Sequence, residues 1–366
     1  MKITLPNITR FILILIIVLC LLGLVLKSVI IGKIETTLSE KLPEQIRLTY
    51  KDINLNTFGR SLIINEPNIQ LTDSTGNTIV GAITLNEIAF KNVGLIDYIF
   101  NNNISLNTVL LSAPKGFVHN NFSLKNDQNT TPSQEVKSID ALTLKHFIVE
   151  NANLKLVDDT QDSLKLSTIN FNLKIDDISV SNIATNAKLL YKNYTIDSDS
   201  FFMKLGPFEN IRINHIEGTD LKTILSGVEL KTKYKPEDLH RYISNERDHY
   251  NMAIDTISLA RVALDFSPDQ PSVNLLTLDL INPNLKIYRD KLVADDLTYK
   301  PMISEMIRNI PLGFKIDSFN IKNAAVRYRE RVHPYNSGGE LFFTNSNINI
   351  QNLTNRDSIS PLQINI

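Results

Sequence analysis

The amino-acid sequence is poor in several residue types, and each shortage excludes a class of protein. A single cysteine, Cys20, excludes a disulfide framework and any metal site built from several cysteines. The absence of tryptophan and the low count of 13 glycines argue against a collagen-like chain or a glycine-rich catalytic scaffold. The 38 Lys and Arg are balanced by 39 Asp and Glu, so no basic excess points to nucleic acid as a partner. With 43% apolar residues, the composition favours a membrane-anchored or secreted-type β protein.

A long apolar run occupies residues 11–31. Its length matches the roughly 20 residues that cross a bilayer core of about 30 Å. A cleaved signal peptide is the alternative, but no small-x-small cleavage pattern follows the run. We therefore predict a transmembrane helix at 11–31 after a short tail at 1–10. Basic residues flank the run almost evenly, so they do not decide its orientation, and the short tail favours an exported body.

The remaining chain is predicted to be mainly β, with a few short helices. A short helix and connector at 32–44 ends near Pro43 and leads into a first β segment at 45–121. The polar stretch 122–137 has no periodicity and predicts a flexible linker or loop. A second β segment covers 138–366 and contains two predicted helices, at 236–247 and 301–309. Its alternation continues to Ile366, from which we expect the natural chain to be longer.

Five stretches share one pattern, in which large apolar residues occupy relative positions 0, 2, 7 and 9. We call these stretches the five copies. Their apolar residues are Leu62, Ile64, Ile69, Leu71; Phe147, Val149, Leu154, Leu156; Ile257, Leu259, Leu264, Phe266; Leu278, Leu280, Leu285, Ile287; and Phe319, Ile321, Val326, Tyr328.

The step of five residues inside each copy breaks the two-residue period of a strand. A hairpin with a four-residue loop would restore the phase, because position 2 would then face position 7 and position 0 would face position 9. Four of the five central segments contain Asn and two contain Pro, which are residues that favour turns. A bulge within one long strand would also shift the phase. Both interpretations predict a sheet with one continuous apolar face, and the hairpin is the first choice.

Six segments lie within about the last hundred residues: LKIYRD at 285–290, PMISEMIRNIP at 301–311, FKIDSFNIKN at 314–323, VRYRE at 326–330, GGELFFTN at 338–345 and NLTN at 352–355. Through these segments the chain resembles the AsmA-like family of bacterial envelope proteins, and Bacteroidetes-type members in particular.

This resemblance implies a fold, a location and a partner. The expected fold is an N-terminal transmembrane helix followed by an elongated, curved antiparallel β-sheet groove, distantly similar to bridge-like lipid transfer proteins. The expected location is the bacterial inner membrane, with a single span and the body in the periplasm. The expected partners are membrane phospholipid and an envelope protein at the far membrane, and the implied role is outer-membrane lipid homeostasis. All twenty apolar residues of the five copies are then candidate lipid-facing residues.

The sequence offers little support for catalysis. No phosphate-binding loop, nucleophile elbow or His-x-x-x-His pair occurs in a suitable context. His240 and His249 could be nominated for a metal, but their nine-residue separation places them on different parts of the predicted helix and its exit. Glu330 with Glu340 could be nominated for a hydrolase, but a charged outer face explains these carboxylates more simply. We therefore predict no catalytic residue, no metal and no cofactor. The leading hypothesis is a lipid-handling β-groove, and the alternative is a non-catalytic structural or assembly factor for the cell envelope.

Overall fold

The structure is a computed structural model that describes nine ranges of the chain. These are 42–56, 61–93, 103–122, 141–158, 163–181, 188–267, 271–335, 338–356 and 363–365. The predicted span at 11–31, nearly all of the segment at 32–44 and nearly all of the linker at 122–137 lie outside them. No helix within the described ranges has the length and apolarity needed to cross a membrane.

The chain divides into two compact units. The N-terminal unit comprises the described residues from 42 to 196 together with 266–267, and the C-terminal unit comprises those from 197 to 265 and from 271 onward. Both units consist mainly of strands, as the sequence predicts. Helical structure among the described residues is limited to a 3₁₀ turn and one short helix in the C-terminal unit.

Twelve strands lie within the N-terminal unit. They are β1 (Ile46–Thr49), β2 (Asp52–Asn56), β3 (Ser61–Asn65), β4 (Asn68–Thr72), β5 (Ile79–Thr84), β6 (Glu87–Val93), β7 (Asn103–Ser112), β8 (Lys115–His119), β9 (Ala141–Asp158), β10 (Ser163–Ile169), β11 (Phe171–Ser181) and β12 (Lys188–Leu190). A thirteenth strand, β13 (Asn193–Ser198), begins in this unit and ends in the next.

The C-terminal unit contains the other strands. They are β14 (Ser200–Lys204), β15 (Glu209–Thr219), β16 (Lys222–Thr232), β17 (Asp248–Ala260), β18 (Ala263–Asp265), β19 (Ser272–Ile281), β20 (Asn284–Asp290), β21 (Gly313–Arg331), β22 (Gly339–Thr354) and β23 (Gln363–Asn365). The helix α1 (Ile303–Arg308) lies between β20 and β21, and the 3₁₀ turn covers Leu239–Arg241.

The hairpin interpretation of the copies is wrong. In the first copy, β3 pairs with β2 and β6, whereas β4 pairs with β1 and β5, so the two halves are not partners. The second and fifth copies each lie within one strand, β9 and β21. The alternative interpretation, an irregularity within one long strand, is therefore the correct one.

The irregularity is a residue with positive φ at the same place in all five copies, two residues after position 2. These residues are Glu66, Asn151, Arg261, Asn282 and Asn323, with φ between 48° and 56°. Only a few per cent of non-glycine residues adopt such angles, and Asn is the residue type that tolerates them best. The Asn-rich segments that suggested turns therefore mark a local change of backbone conformation along the strand direction. We call the positive-φ residue of each copy its corner.

Each corner changes which side chains face inward. The next residue is Pro, Ala or Val and is buried in every copy, namely Pro67, Ala152, Val262, Pro283 and Ala324. In the first copy, the buried residues are Leu62, Ile64, Pro67, Ile69 and Leu71. Buried and outward-facing residues therefore alternate except at the corner, where two successive residues, Asn65 and Glu66, point outward. The apolar residues on both sides of the corner consequently share one face.

The corners of neighbouring strands lie side by side. Glu66 N donates to the carbonyl of Asn86 at 2.9 Å, and Ala113 N donates to the carbonyl of Glu150 at 2.8 Å. The backbone groups at these breaks are thus satisfied across the sheet, as buried polar groups require. Ala113 also has positive φ and is followed by Pro114, so β7 and β8 form a further copy that the sequence pattern missed, because Gly116 stands at its position 7.

Not all strand pairs are antiparallel, in contrast to the prediction. Strands β7 and β8 pair in parallel with β9, and β19 and β20 pair in parallel with β21. Parallel neighbours need a crossover connection rather than a hairpin. Residues 291–312, with α1, form this crossover in the C-terminal unit.

One of the two helices predicted in the second β segment is confirmed. The helix predicted at 301–309 is α1. The helix predicted at 236–247 is wrong, since only the 3₁₀ turn forms there. Tyr242 stacks on Tyr234 with a ring distance of 3.7 Å, and Arg247 lies over the ring of Phe208 at 4.2 Å. These tertiary contacts outweigh the local helical pattern.

Candidate functional site: the apolar face of the C-terminal sheet

The first two copies are sealed in a closed core. Their eight apolar residues are between 1% and 7% exposed and belong to one buried cluster of the N-terminal unit. The half-strands before the corners and those after them both contribute to this cluster. A closed core of this kind leaves these eight residues no surface for a ligand in the described structure.

The third copy is split between the two units. Ile257 and Leu259 lie on β17, and Leu264 lies on β18 opposite Val273 and is 38% exposed. Phe266 belongs to the N-terminal unit, where its ring lies 6.1 Å from that of Tyr191. The corner at Arg261 separates these two pairs.

The fourth and fifth copies pair with each other position for position. Leu278 lies opposite Phe319, and Leu280 lies opposite Ile321. Beyond the corner, Leu285 lies opposite Val326 and Ile287 lies opposite Tyr328. Equivalent positions of two copies are therefore direct cross-strand neighbours, which is the arrangement that favours apolar pairing.

The strands on either side extend this surface into a grid of four rows. We call it the apolar face, and its rows are Leu259, Leu278, Phe319, Ile350; Ile257, Leu280, Ile321, Ile348; Met252, Leu285, Val326, Phe343; and Tyr250, Ile287, Tyr328, Leu341.

The apolar face is only partly covered. None of its sixteen side chains is buried by the described residues, and Leu341 and Phe343 are 63% and 61% exposed. The buried cluster beside it consists of three residues, Ile213, Val228 and Ile254. Four strands spaced about 4.8 Å apart and about ten residues long give this face a footprint of several hundred Å². Only part of that footprint is open, because fourteen of the sixteen side chains are half-buried. Contiguous exposed apolar surface is a feature of binding sites and interfaces.

A charged row limits the apolar face at one end. The row of cross-strand neighbours beyond Tyr250, Ile287 and Tyr328 consists of Asp248, Arg289 and Glu330. Arg289 Nε donates to Asp248 Oδ1 at 2.7 Å, and this hydrogen bond raises the pKa of Arg289. The face thus changes from apolar to ionic over one strand position.

A second ion pair supports this charged row. Lys291 Nζ lies 2.8 Å from Glu246 Oε2, and the Glu246 side chain is only 5% exposed. The hydrogen bond from Lys291 lowers the pKa of Glu246, so this carboxylate stays ionised at neutral pH. Lys300 lies 3.8 Å from the same carboxylate.

The residues nominated for catalysis do not converge on one place. Glu340 is the cross-strand neighbour of Arg329, and Glu330 is that of Gly339, so the two carboxylates lie on opposite faces of the sheet. His240 is exposed on the 3₁₀ turn, whereas His249 is buried and its Nε2 lies 2.8 Å from the Tyr234 carbonyl oxygen. The described part of the chain contains no group of three His, Cys, Asp or Glu arranged to hold a metal.

Sequence reasoning missed the contribution of β22 to this site. Ile348 and Ile350 continue the rows on β22, and Asn345 there has positive φ, as in the five copies. Its stretch Leu341, Phe343, Ile348, Ile350 follows the same spacing and could have been found by the same search.

Comparison with protein-family models and with curated proteins found no match to this chain.

Proposed function

We propose that this chain is a membrane-anchored, AsmA-like envelope protein whose C-terminal sheet binds or conducts phospholipid along the apolar face. The partly exposed apolar face carries this proposal. Leaving so many large side chains open to water is costly, at about 25 cal/mol per Å² of apolar area. Acyl chains lying on the face would remove that cost.

The charged row favours an amphipathic lipid over a plain hydrocarbon. A lipid whose acyl chains cover the rows of Ile257, Leu285 and Ile287 places its polar end near Asp248 and Arg289. The apolar run at 11–31 supports a membrane anchor, and the family resemblance supports a bacterial inner-membrane location with a periplasmic body. In this proposal the chain supplies no catalytic group.

The second candidate function is a structural or assembly factor, and the N-terminal unit favours it. There the apolar residues of the first two copies of the same motif lie in a closed core of the described residues. If a protein partner covers the apolar face of the C-terminal unit in the cell, the chain is an assembly factor and lipid is not its ligand.

Lipid analysis of the purified full-length protein separates the two functions. We expect phospholipid to co-purify with the wild-type chain and to be reduced at least tenfold in Leu280→Asp, which puts a carboxylate on the apolar face. Asn284→Asp is the matched control, because Asn284 is an exposed neighbour of Leu285 on the same strand and points to the other side. Folded wild-type protein free of lipid, or lipid retained by folded Leu280→Asp, would reject the lipid function.

Membrane anchoring is tested separately. The protein should remain in the membrane after carbonate washing and keep its original N-terminus, as expected for an uncleaved span. A mature N-terminus located after residue 31 would show a cleaved signal peptide instead.

A further inference from the structure

The outer side of the C-terminal sheet, opposite the apolar face, contains a cleft of about 420 Å³. Four cationic side chains line it, and they lie on two neighbouring strands. They are Lys286 of β20 and Arg327, Arg329 and Arg331 of β21. Two carboxylates, Glu237 and Glu340, also line the cleft, so cations outnumber them. Pockets for small ligands have volumes of about 300–1,000 Å³.

The cations are placed close together by the strand register. Lys286 is the direct cross-strand neighbour of Arg327. Like charges in this position destabilise a sheet, so the pair is unfavourable unless an anion lies between them. The side chains point away from the apolar face, because Arg327 lies between Val326 and Tyr328 in the strand.

The nearby carboxylates neutralise only part of this charge. Arg327 Nε lies 3.4 Å from Glu340, and Arg331 Nη1 lies 3.3 Å from Asp290. Lys286 has no carboxylate within ion-pair distance among the described residues. An excess of positive charge therefore remains at the centre of the cleft.

The donors suit a tetrahedral oxyanion. A guanidinium group presents its N–H groups as a planar fork that matches the oxygens of phosphate, and a lysine supplies a point charge beside it. Arg329 is held over the ring of Tyr288, with 6.0 Å between the guanidinium carbon and the ring centroid. This contact restricts the guanidinium group before any ligand arrives.

We propose that this cleft binds a phosphate-bearing ligand, which is either a soluble phosphate ester or the phosphate of a lipid headgroup. The four lining cations outnumber the three carboxylates Glu237, Glu340 and Asp290 by one, so an anionic phosphate group would balance the remaining positive charge. The proposal does not rest on lipid binding at the apolar face, since the two sites lie on opposite sides of the sheet.

Isothermal titration of the full-length protein in a neutral detergent tests the proposal, with inorganic phosphate and dihexanoyl phosphatidic acid as probes. We expect both probes to bind, and the affinity to fall as salt screens the exposed charges. Lys286→Gln and Arg329→Gln should each weaken binding about tenfold, as for the loss of one charge-assisted hydrogen bond. Glu340→Gln should strengthen binding, because it removes a competing carboxylate.

Two controls make the outcome specific. Arg212→Gln removes an exposed arginine of β15 outside the cleft, and Leu280→Asp alters only the apolar face; both should leave the affinity for inorganic phosphate unchanged. Equal affinity for the two probes indicates a soluble ligand, and at least tenfold tighter binding of phosphatidic acid indicates a lipid headgroup. The proposal is overturned if neither probe binds, or if Lys286→Gln and Glu340→Gln leave the affinity unchanged.

Discussion

The N-terminal and C-terminal units use the same strand motif in opposite ways. In the N-terminal unit, its apolar positions form part of a cluster of 21 buried side chains. In the C-terminal unit, the corresponding positions form the apolar face, and the buried cluster beside them has three members. The motif therefore decides that apolar residues on both sides of a corner share one face. It does not decide whether that face is covered.

The difference in burial also bears on the stability of the two units. A sealed core contributes folding energy and tolerates little change, whereas an uncovered apolar face contributes less and is available to a ligand. Under the proposed function, the N-terminal unit would supply stability and the C-terminal unit would supply the binding surface. The following predictions test this division, starting with the largest expected effect.

The largest effect is expected from a charge in the closed core. Ile64 is 1% exposed, so Ile64→Asp should destabilise the N-terminal unit by several kcal/mol and unfold it, because the new carboxylate has no partner. Leu280, at the equivalent position, is partly exposed, so a carboxylate there stays in contact with water. Leu280→Asp should therefore lower the free energy of unfolding by only about 1–2 kcal/mol. Hydrogen exchange of the two variants measures both effects. Equal losses of protection would show that the apolar face is as sealed as the core.

Loss of the buried ion pair should destabilise the C-terminal unit alone. Glu246→Gln leaves Lys291 unpaired and should cost about 1–3 kcal/mol at pH 7. Because the pKa of Glu246 is lowered from 4.5, its contribution is present above that value and disappears as the pH falls through the lowered pKa. Wild type and variant should thus converge in acid. Urea unfolding at pH 7 and pH 3 checks this, and an equal difference at both pH values would contradict it.

An effect of similar size is expected at the corners. Asn282→Val places a β-branched side chain at φ 54° and removes the hydrogen bonds of the Asn282 side chain with Asp255 and Asn323, so it should destabilise the C-terminal unit by about 1–3 kcal/mol. Arg261→Gly should instead be neutral or stabilising by up to about 1 kcal/mol, since glycine adopts positive φ without strain. Thermal unfolding of the pair compares them. A tolerated Asn282→Val would mean that the corner conformation carries no cost.

The smallest effect is expected for Glu330, one of the two carboxylates that a hydrolase would need. Glu330→Gln should change stability by no more than about 0.5 kcal/mol and leave biological activity intact, as for most surface substitutions. The folding control is an unchanged unfolding midpoint in urea. Loss of activity in a stably folded Glu330→Gln protein would contradict our assignment and revive the hydrolase hypothesis.

The mainly β fold and the repeated apolar positions could be predicted from sequence, because strand alternation is a local property that follows from the pleat. Residues such as Leu280 and Ile321 were identified correctly as members of one face. The helix predicted at 236–247 failed because its period is also local, whereas the stacking of Tyr242 on Tyr234 is not.

The phase shift inside each copy was detectable, but its cause was not. A four-residue turn and a single positive-φ residue produce the same spacing of apolar side chains, and Asn favours both. Only strand pairing distinguishes them, and pairing joins residues far apart in the chain, as when Leu285 meets Val326. Parallel pairing of β20 with β21 was invisible for the same reason.

The sequence by itself determined which side chains share the apolar side of each strand. Ile64 and Leu280 lie on that side because each strand with a corner has only one apolar side. The tertiary structure alone decided that Ile64 is buried and Leu280 is not. It also brought Lys286 beside Arg327 on the outer side, although 40 residues separate them in the chain. The physical reason is that facing is set by the local backbone, whereas covering and charge clustering depend on which other strands the chain brings alongside.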